Sequence, residues 1–303
     1  DEVIVNTAAV DLGLGSGGFD LVHVNLTRGL RGGETPPGVH VMKLNYTSLQ
    51  HAVDPVEAPA DSPPRPSRRI PVAILPLHGH LAPLAWAASR AGSARIGFVQ
   101  AGGGGLPGAL SGDVTELRDR GLLCRHVTAS PSYGGEDEAI SVAGALHAAA
   151  EELGWDAAIV GPGPGILGSE TRYGHGGMAA LDAANAAVGL GLRAILSPRM
   201  SAADPRPRHV GLSHHTRSVL ELLLRPVAVP VPSDLASLWP EAAGPPPEGS
   251  VGRHPLLPQA VDLDAYAASR LPTRTMGRHL AEDRLFFAAP LAAGAALGAA
   301  LHP

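Results

Sequence analysis

RIPVAILPLHGHLAPLAWAASRAGSARIGFVQAGGGG, residues 69–105, is the stretch on which the fold turns. RIPVAILPL is a continuous aliphatic run and reads as a strand buried on both faces. LAPLAWAASRAG, at 81–92, is too long and too rich in Ala and Leu for a second strand, and predicts a helix that stops at glycine. ARIGFVQAG then returns to strand. Two such strands joined by a helix make a parallel crossover unit.

The same alternation continues downstream. DVTELRDRG predicts a helix ending at Gly121, LLCRHVTAS a strand, and EDEAISVAGALHAAAEELG a helix. WDAAIVGPG, RAILSPRMS and PVAVPVP read as further strands, separated by helices in GGMAALDAANAAVGLG and HTRSVLELLL. The prolines of PVAVPVP, at 226–232, place it at an edge. The expectation is an α/β fold: a doubly wound, mostly parallel sheet of about six strands, Rossmann- or flavodoxin-like in three layers.

Upstream the pattern differs. Val3 to Val5 and Leu21 to Leu26 are β-branched runs flanking GLGSGG, a hairpin-like arrangement with no amphipathic helix after the glycines. We read 1–53 as a small β-region that looks like the end of a fuller barrel-like domain, 54–69 as an exposed Pro-rich linker, and 70–303 as the α/β domain with C-terminal helices. LFFAAPLAAGAALGAALHP, 285–303, is interrupted by Pro290, and its Ala and Gly are weakly lipophilic, so it predicts a packed helix rather than a membrane span.

Composition narrows the partners. A formal charge of -5 on 303 residues offers no basic face for a nucleic acid. Cys124 is the only cysteine, which excludes an internal disulfide or a Cys-rich zinc cluster, and its apolar strand reads as packing rather than as a catalytic thiol. No charged-then-apolar leader follows Asp1, so the expectation is a cytoplasmic protein without a membrane partner. Soluble α/β proteins of this kind commonly form homodimers.

The unusual residues gather where a parallel sheet binds ligands, in the loops leaving the carboxyl ends of its strands. These loops carry His78 and His80, then Gly102–Gly105, then Ser130 to Asp137, then GPGPGILGSETRYGHGG with Glu170, Thr171, Arg172 and His175. The last is ADPRPRHVGLSHHT, 203–216. The loops entering the strands (RAGSA, RDRG, EELGW, GLGL) are chemically plain. This one-sidedness predicts a polar cleft on the carboxyl rim.

Several chemistries are open to it. His78 and His80 can offer two imidazoles to one divalent metal if the backbone stays extended, or can be a hydrogen-bonded loop pair. Asp204, His209 and His214 are further metal candidates, and a bound metal would supply a hydrolytic water. Adjacent His214 and His215 are expected to point apart. Arg172, Arg199, Arg206 and Arg208 suit a carboxylate or phosphate. The runs at 102–105 and 161–168 bring backbone to the same anion, with contacts placed at Gly102, Gly103 and at positions 162 and 164, which are Pro162 and Pro164. Neither run matches a nucleotide-binding motif. Ser213 reads better as a helix cap than as a nucleophile, and Asn185 as a loop-bonding amide. TRTMGRHLAED, 273–283, is read as a solvated helix start in preference to a lid.

LPLHGHLAP, IVGPGPGILGSETRYGHGG, SPRMSAADPRPRHVGLSHHT and RTMGR together resemble a bacterial family of actinobacteria and other Gram-positives that is known as a domain of unknown function, DUF3866. The resemblance covers nearly the whole chain and is most specific from Ser197 to Thr216. It implies a fuller N-terminal β-region. It also implies that His78 belongs to the pattern, while position 80 is commonly a small hydroxyl residue and Ser169-Glu170 stands where Gly-Thr is usual.

The resulting expectation is an enzyme, a hydrolase or group transferase with or without a metal, acting on a small anionic metabolite. His78, Asp204, His209 and His214 are placed in catalysis, and Gly102, Gly103, Pro162, Pro164, Thr171, His175, Arg199, Arg208 and Ser213 in ligand binding. The rival expectation is a non-catalytic metabolite-sensing or assembly domain built on the same rim.

Overall fold

The computed structural model describes residues 1–13, 20–29, 38–233 and 254–302. Its contacts fall into two units, Asp1–Asp54 and Pro55–Pro303. In the first, β1 (Val3–Asn6) pairs antiparallel with β2 (Leu21–Asn25), with a short helix α1 (Ala8–Asp11) between them. A second antiparallel pair joins β3 (Val41–Lys43) to β4 (His51–Val53). Apart from Gly13, the GLGSGG turn lies outside the described residues.

The second unit is built on six parallel strands: β5 (Pro71–Ile74), β6 (Ile96–Ala101), β7 (Arg125–Ala129), β8 (Asp137–Ala139), β9 (Ala157–Pro162) and β10 (Arg193–Leu196). Their spatial order is β10-β5-β9-β6-β7-β8. Alternation along each strand sends Phe98 and Ile159 to one face and Val99 and Val160 to the other. The first face is covered by α2 (Leu81–Ser89), α3 (Gly112–Asp119) and the C-terminal helix Arg284–Ala299; the second is covered by α4 (Val142–Glu151), α5 (Ala179–Gly189) and α6 (His214–Leu222). This is a three-layer, doubly wound α/β fold. Ser111, Ser141 and Ser213 cap α3, α4 and α6 by accepting from Val114 N, Gly144 N and His215 N.

Two segments differ from expectation. The sixth strand of the sheet is β8, inside the stretch read as helix: Asp137–Ala139 runs parallel to Val127–Ala129 at the edge of the sheet. PVAVPVP instead forms β11 (Val229–Pro232), paired in parallel with β12 (Leu256–Gln259) in a separate sheet, and is bonded to β10 by the bridge between Ile195 and Ala228. The Pro-rich stretch after residue 54 is tied down: Glu57 accepts from Ile140 N and Ser141 N, and Ser67 bonds Glu151.

The C-terminal helix is buried almost throughout, which accounts for its small residues. A Cβ at Gly294 would stand 2.2 Å from the Leu84 carbonyl oxygen, so α2 can approach this closely only at glycine. No helix among the described residues is long and apolar enough to cross a membrane.

Candidate functional site

Because the sheet is parallel, the loops after β5, β6, β9 and β10 all leave from one rim. Connections diverge between β9, which leads to β10, and β6, which leads to β7, making that pair the topological switch point. The glycine runs meet there, and they fill the crevice instead of lining it. A Cβ at Gly103 would lie 2.4 Å from Gly176 O, and one at Gly104 2.3 Å from Gly163 O. Gly102 packs on Pro131. Pro162 and Pro164 have no N–H to give an anion, and the carbonyls of both are already accepting, from His78 and from Gly105 N. The anion-cradle expectation for these four positions is therefore corrected to one of interlocked backbones.

His78 and His80 sit on a 3-10 turn rather than an extended backbone, and face different partners. The Pro162 carbonyl can only accept, so His78 Nδ1 carries the hydrogen (3.0 Å) and Nε2 accepts from Ser111 Oγ at 2.7 Å. Burial lowers the His78 pKa against the pull of Asp113. His80 bonds Ser197 Oγ at 2.9 Å and meets the edge of Phe286. Burial, reinforced by the Arg199 charge, pushes its pKa down to about 3. The HxH pair does not converge on a shared metal.

The residues after β10 do converge. Arg199, only 2% exposed, donates through Nη1 to His215 Nδ1 at 3.1 Å and through Nη2 to Asp204 at 3.3 Å. Asp204 also takes Arg206 at 2.9 Å and Arg278 at 3.5 Å. Burial alone would raise its pKa, but the Arg206 bonds and charge hold it well below the usual carboxylate range. Its oxygens are committed to guanidinium groups. Around this network stand four imidazoles: His175 and His215 stacked at 3.7 Å, with His214 and His209 edge-on to His215 at 4.4 Å and 4.8 Å. His214 and His215 thus turn to the same cluster, contrary to expectation. Ser213 is buried beneath it, capping α6 and bonding His209 Nδ1 at 2.7 Å, while Thr171 bonds Ser169 and Gly174 within its own exposed loop.

Burial is the first cause that keeps these histidines neutral, with Arg199 adding to it. The pKa of His209 falls to about 3, and those of His175, His214 and His215 are also lowered. Burial likewise lowers Arg199, to about 10, leaving it charged at neutral pH.

Nitrogens of His175, His214 and His215 come within 4.8 Å of one another, which invites a metal. The donor set does not fit one as arranged. The only lone pair of neutral His215 already accepts from Arg199, and the His175 and His215 planes lie 8° apart, so their in-plane lone pairs cannot meet at one ion. A guanidinium bonded at the same place repels a divalent cation.

A cavity of ≈ 430 Å³ opens on this cluster. Its polar lining is Arg199, Arg206, Arg208, His209 and His215 with Ser169 and Glu170, and its apolar lining is Ile166, Leu167 and Met276. Met276 comes from an antiparallel hairpin, β13 (Arg274–Thr275) with β14 (Arg278–His279), where the sequence predicts a helix start. Arg278 from the same hairpin bridges Asp204 and Asp283. The signal for it was weak: Met276 and Gly277 both have positive φ, as a two-residue hairpin turn requires, but only the glycine advertises it. Cys124 is half-buried, its thiol pKa raised by burial, in keeping with a packing role.

Fold and site together define a doubly wound α/β protein with a cationic, histidine-rich cavity on the carboxyl rim of its sheet. The model of the family described as "Protein of unknown function (DUF3866)" matches residues 1–294, and the chain belongs to that family. No curated protein and no solved structure matches it.

Proposed function

We propose that this chain is an enzyme of the hydrolase or group-transfer class that holds a small anionic metabolite in the cavity above β10, working in the cytoplasm as a homodimer. The observation that supports the reading is the convergence of Arg199, Arg206 and Arg208 with His209 and His215 on one ≈ 430 Å³ recess, a volume in the range of metabolite sites. Guanidinium forks bind carboxylate or phosphoryl oxygens, and Arg199 is already oriented by Asp204 and His215. His209 is the acid–base group of the proposal, because Ser213 holds its Nδ1 and leaves Nε2 for the ligand. His78, paired with Ser111 and Pro162, acts in this scheme as a positioning residue at the switch point.

One observation favours the sensing alternative. Asp204, the buried carboxylate of the cluster, is saturated by arginines and is not free as a nucleophile or base. Turnover of a panel of phosphate and carboxylate esters by wild type and His209→Ala separates the readings. Turnover by wild type, reduced at least ~100-fold in the variant with binding retained, supports the enzyme, since a positioned general base contributes about that much or more. Binding without turnover supports the sensor, and neither binding nor turnover refutes both.

A further inference from the structure

We propose that the anion taken by this cavity is a phosphomonoester dianion carrying a compact apolar body. The inference rests on the anionic-metabolite reading above and narrows it to one ligand class.

Charge is the first argument. Four guanidinium groups, Arg199, Arg206, Arg208 and Arg278, surround the recess or brace it, and the buried carboxylates that answer them are Asp204 and Asp283. Glu170 lies 3.5 Å from Arg208, but its side chain is 87% exposed, so water screens that pair. Two positive charges are thus left for the ligand, which a monocarboxylate would half-compensate and a phosphomonoester near neutral pH would balance.

Donor placement is the second. The Nε atoms of Arg199 and Arg208 are buried with no hydrogen-bond partner among the described residues. His215 uses its lone pair on Arg199 and therefore carries its hydrogen on Nε2, another donor at the cavity. A buried donor without a partner costs about 1–3 kcal/mol, so several at one recess indicate an absent acceptor. They come from three places in the chain, after β10, from the turn at 206–209, and from the first turn of α6. A carboxylate is satisfied by a single fork in one plane; three terminal oxygens on a tetrahedral centre accept from several directions at once.

Shape supplies the body. Inorganic phosphate would leave most of ≈ 430 Å³ empty, and the apolar part of the lining is Ile166, Leu167 and Met276, the last with its Sδ 3.6 Å from Arg199 Nη2. An apolar group of aromatic-ring size suits that lining.

Calorimetry on the full chain at neutral pH and low salt tests this with phenyl phosphate, inorganic phosphate and benzoate. Phenyl phosphate is expected to bind at least tenfold tighter than either, since benzoate shares its ring and inorganic phosphate its head group. Arg208→Ala, at a partly exposed position that leaves the Arg199–Asp204 pair intact, is expected to weaken phenyl phosphate at least tenfold while melting like wild type; Arg206→Ala serves as a second variant should the first fail to fold. Benzoate binding as tightly as phenyl phosphate would overturn the phosphoryl assignment and leave the anion reading standing. Unchanged phenyl phosphate affinity in a folded Arg208→Ala would overturn the location. Binding of none of the three would refute this inference and the anion reading together.

Discussion

Asp204→Asn tests the buried charge network most directly. The Asp204 side chain is wholly buried, and its carboxylate accepts from Arg206 Nε and Nη2 at 2.9 Å, Arg206 N at 3.0 Å, Arg199 Nη2 at 3.3 Å and Arg278 Nη2 at 3.5 Å. Asparagine keeps the shape and one acceptor oxygen but removes the charge. Arg206 is 43% exposed and regains water, so its loss is small, and Arg278 keeps Asp283. Arg199 has no such recourse, and an uncompensated buried charge costs about 3–5 kcal/mol. We expect the lower end, about 3 kcal/mol, because His215 Nδ1 still accepts one of its hydrogens. Urea unfolding followed by tryptophan fluorescence, with Trp155 fully buried in the same unit, reads this as a midpoint lowered by about 1 M for a slope near 3 kcal/mol/M. The sign with pH is also set. Asp204 has a depressed folded pKa, so its contribution is complete above the unfolded value near 3.8 and is lost as pH falls through the folded one. The gap between wild type and variant should be level from about pH 5 to 8 and narrow below about pH 4. A midpoint shift under about 0.3 M, or a gap that widens in acid, would refute the network as described.

Two other outcomes follow from the fold. Gly294→Val should destabilise the protein by about 2 kcal/mol or more and lower its melting temperature, because the new side chain meets the Leu84 carbonyl at 2.2 Å from its first atom; a melting temperature equal to wild type would contradict the close helix approach. His80 and His126 have folded pKa values lowered by burial to about 3 and about 4, so the unfolded chain binds more protons below about pH 6.5 and stability falls as pH drops. Between pH 7 and 5 each should remove about 2 kcal/mol, and His126→Phe, which keeps the ring stacked on Phe98, should remove its share of that slope in urea titrations at the two pH values.

The parallel sheet was legible because strands buried on both faces are apolar at nearly every position, and RIPVAILPL, ARIGFVQAG and WDAAIVGPG say so without help from elsewhere. Asp137–Ala139 was not, since an edge strand of three residues carries no period of its own and is held by Val127 to Ala129 beside it. The rim was legible as a location, because chain order fixes which end of a parallel strand each loop leaves. Its division was not. Whether His78 meets Asp204 depends on which loop packs on which, and the sequence offers no marker that His214 and His215, neighbours on the first turn of α6, share a cluster with His175.

The glycine runs explain why that division falls where it does. In an open parallel sheet the crevice at the switch point is the natural ligand site, and here it lies between β9 and β6. Backbone atoms of Gly103 and Gly176, and of Gly104 and Gly163, approach so closely there that no ligand group could enter between them. The crevice is closed by the residues that look, in sequence, most like an anion loop. With the crevice closed, side chains supply the charge, and the arginines do so one strand beyond the pair β5 and β9, after β10. A chain in which glycines held the anion would need few arginines; one in which glycines seal the crevice needs several, and residues 199–208 carry three of them into the cavity.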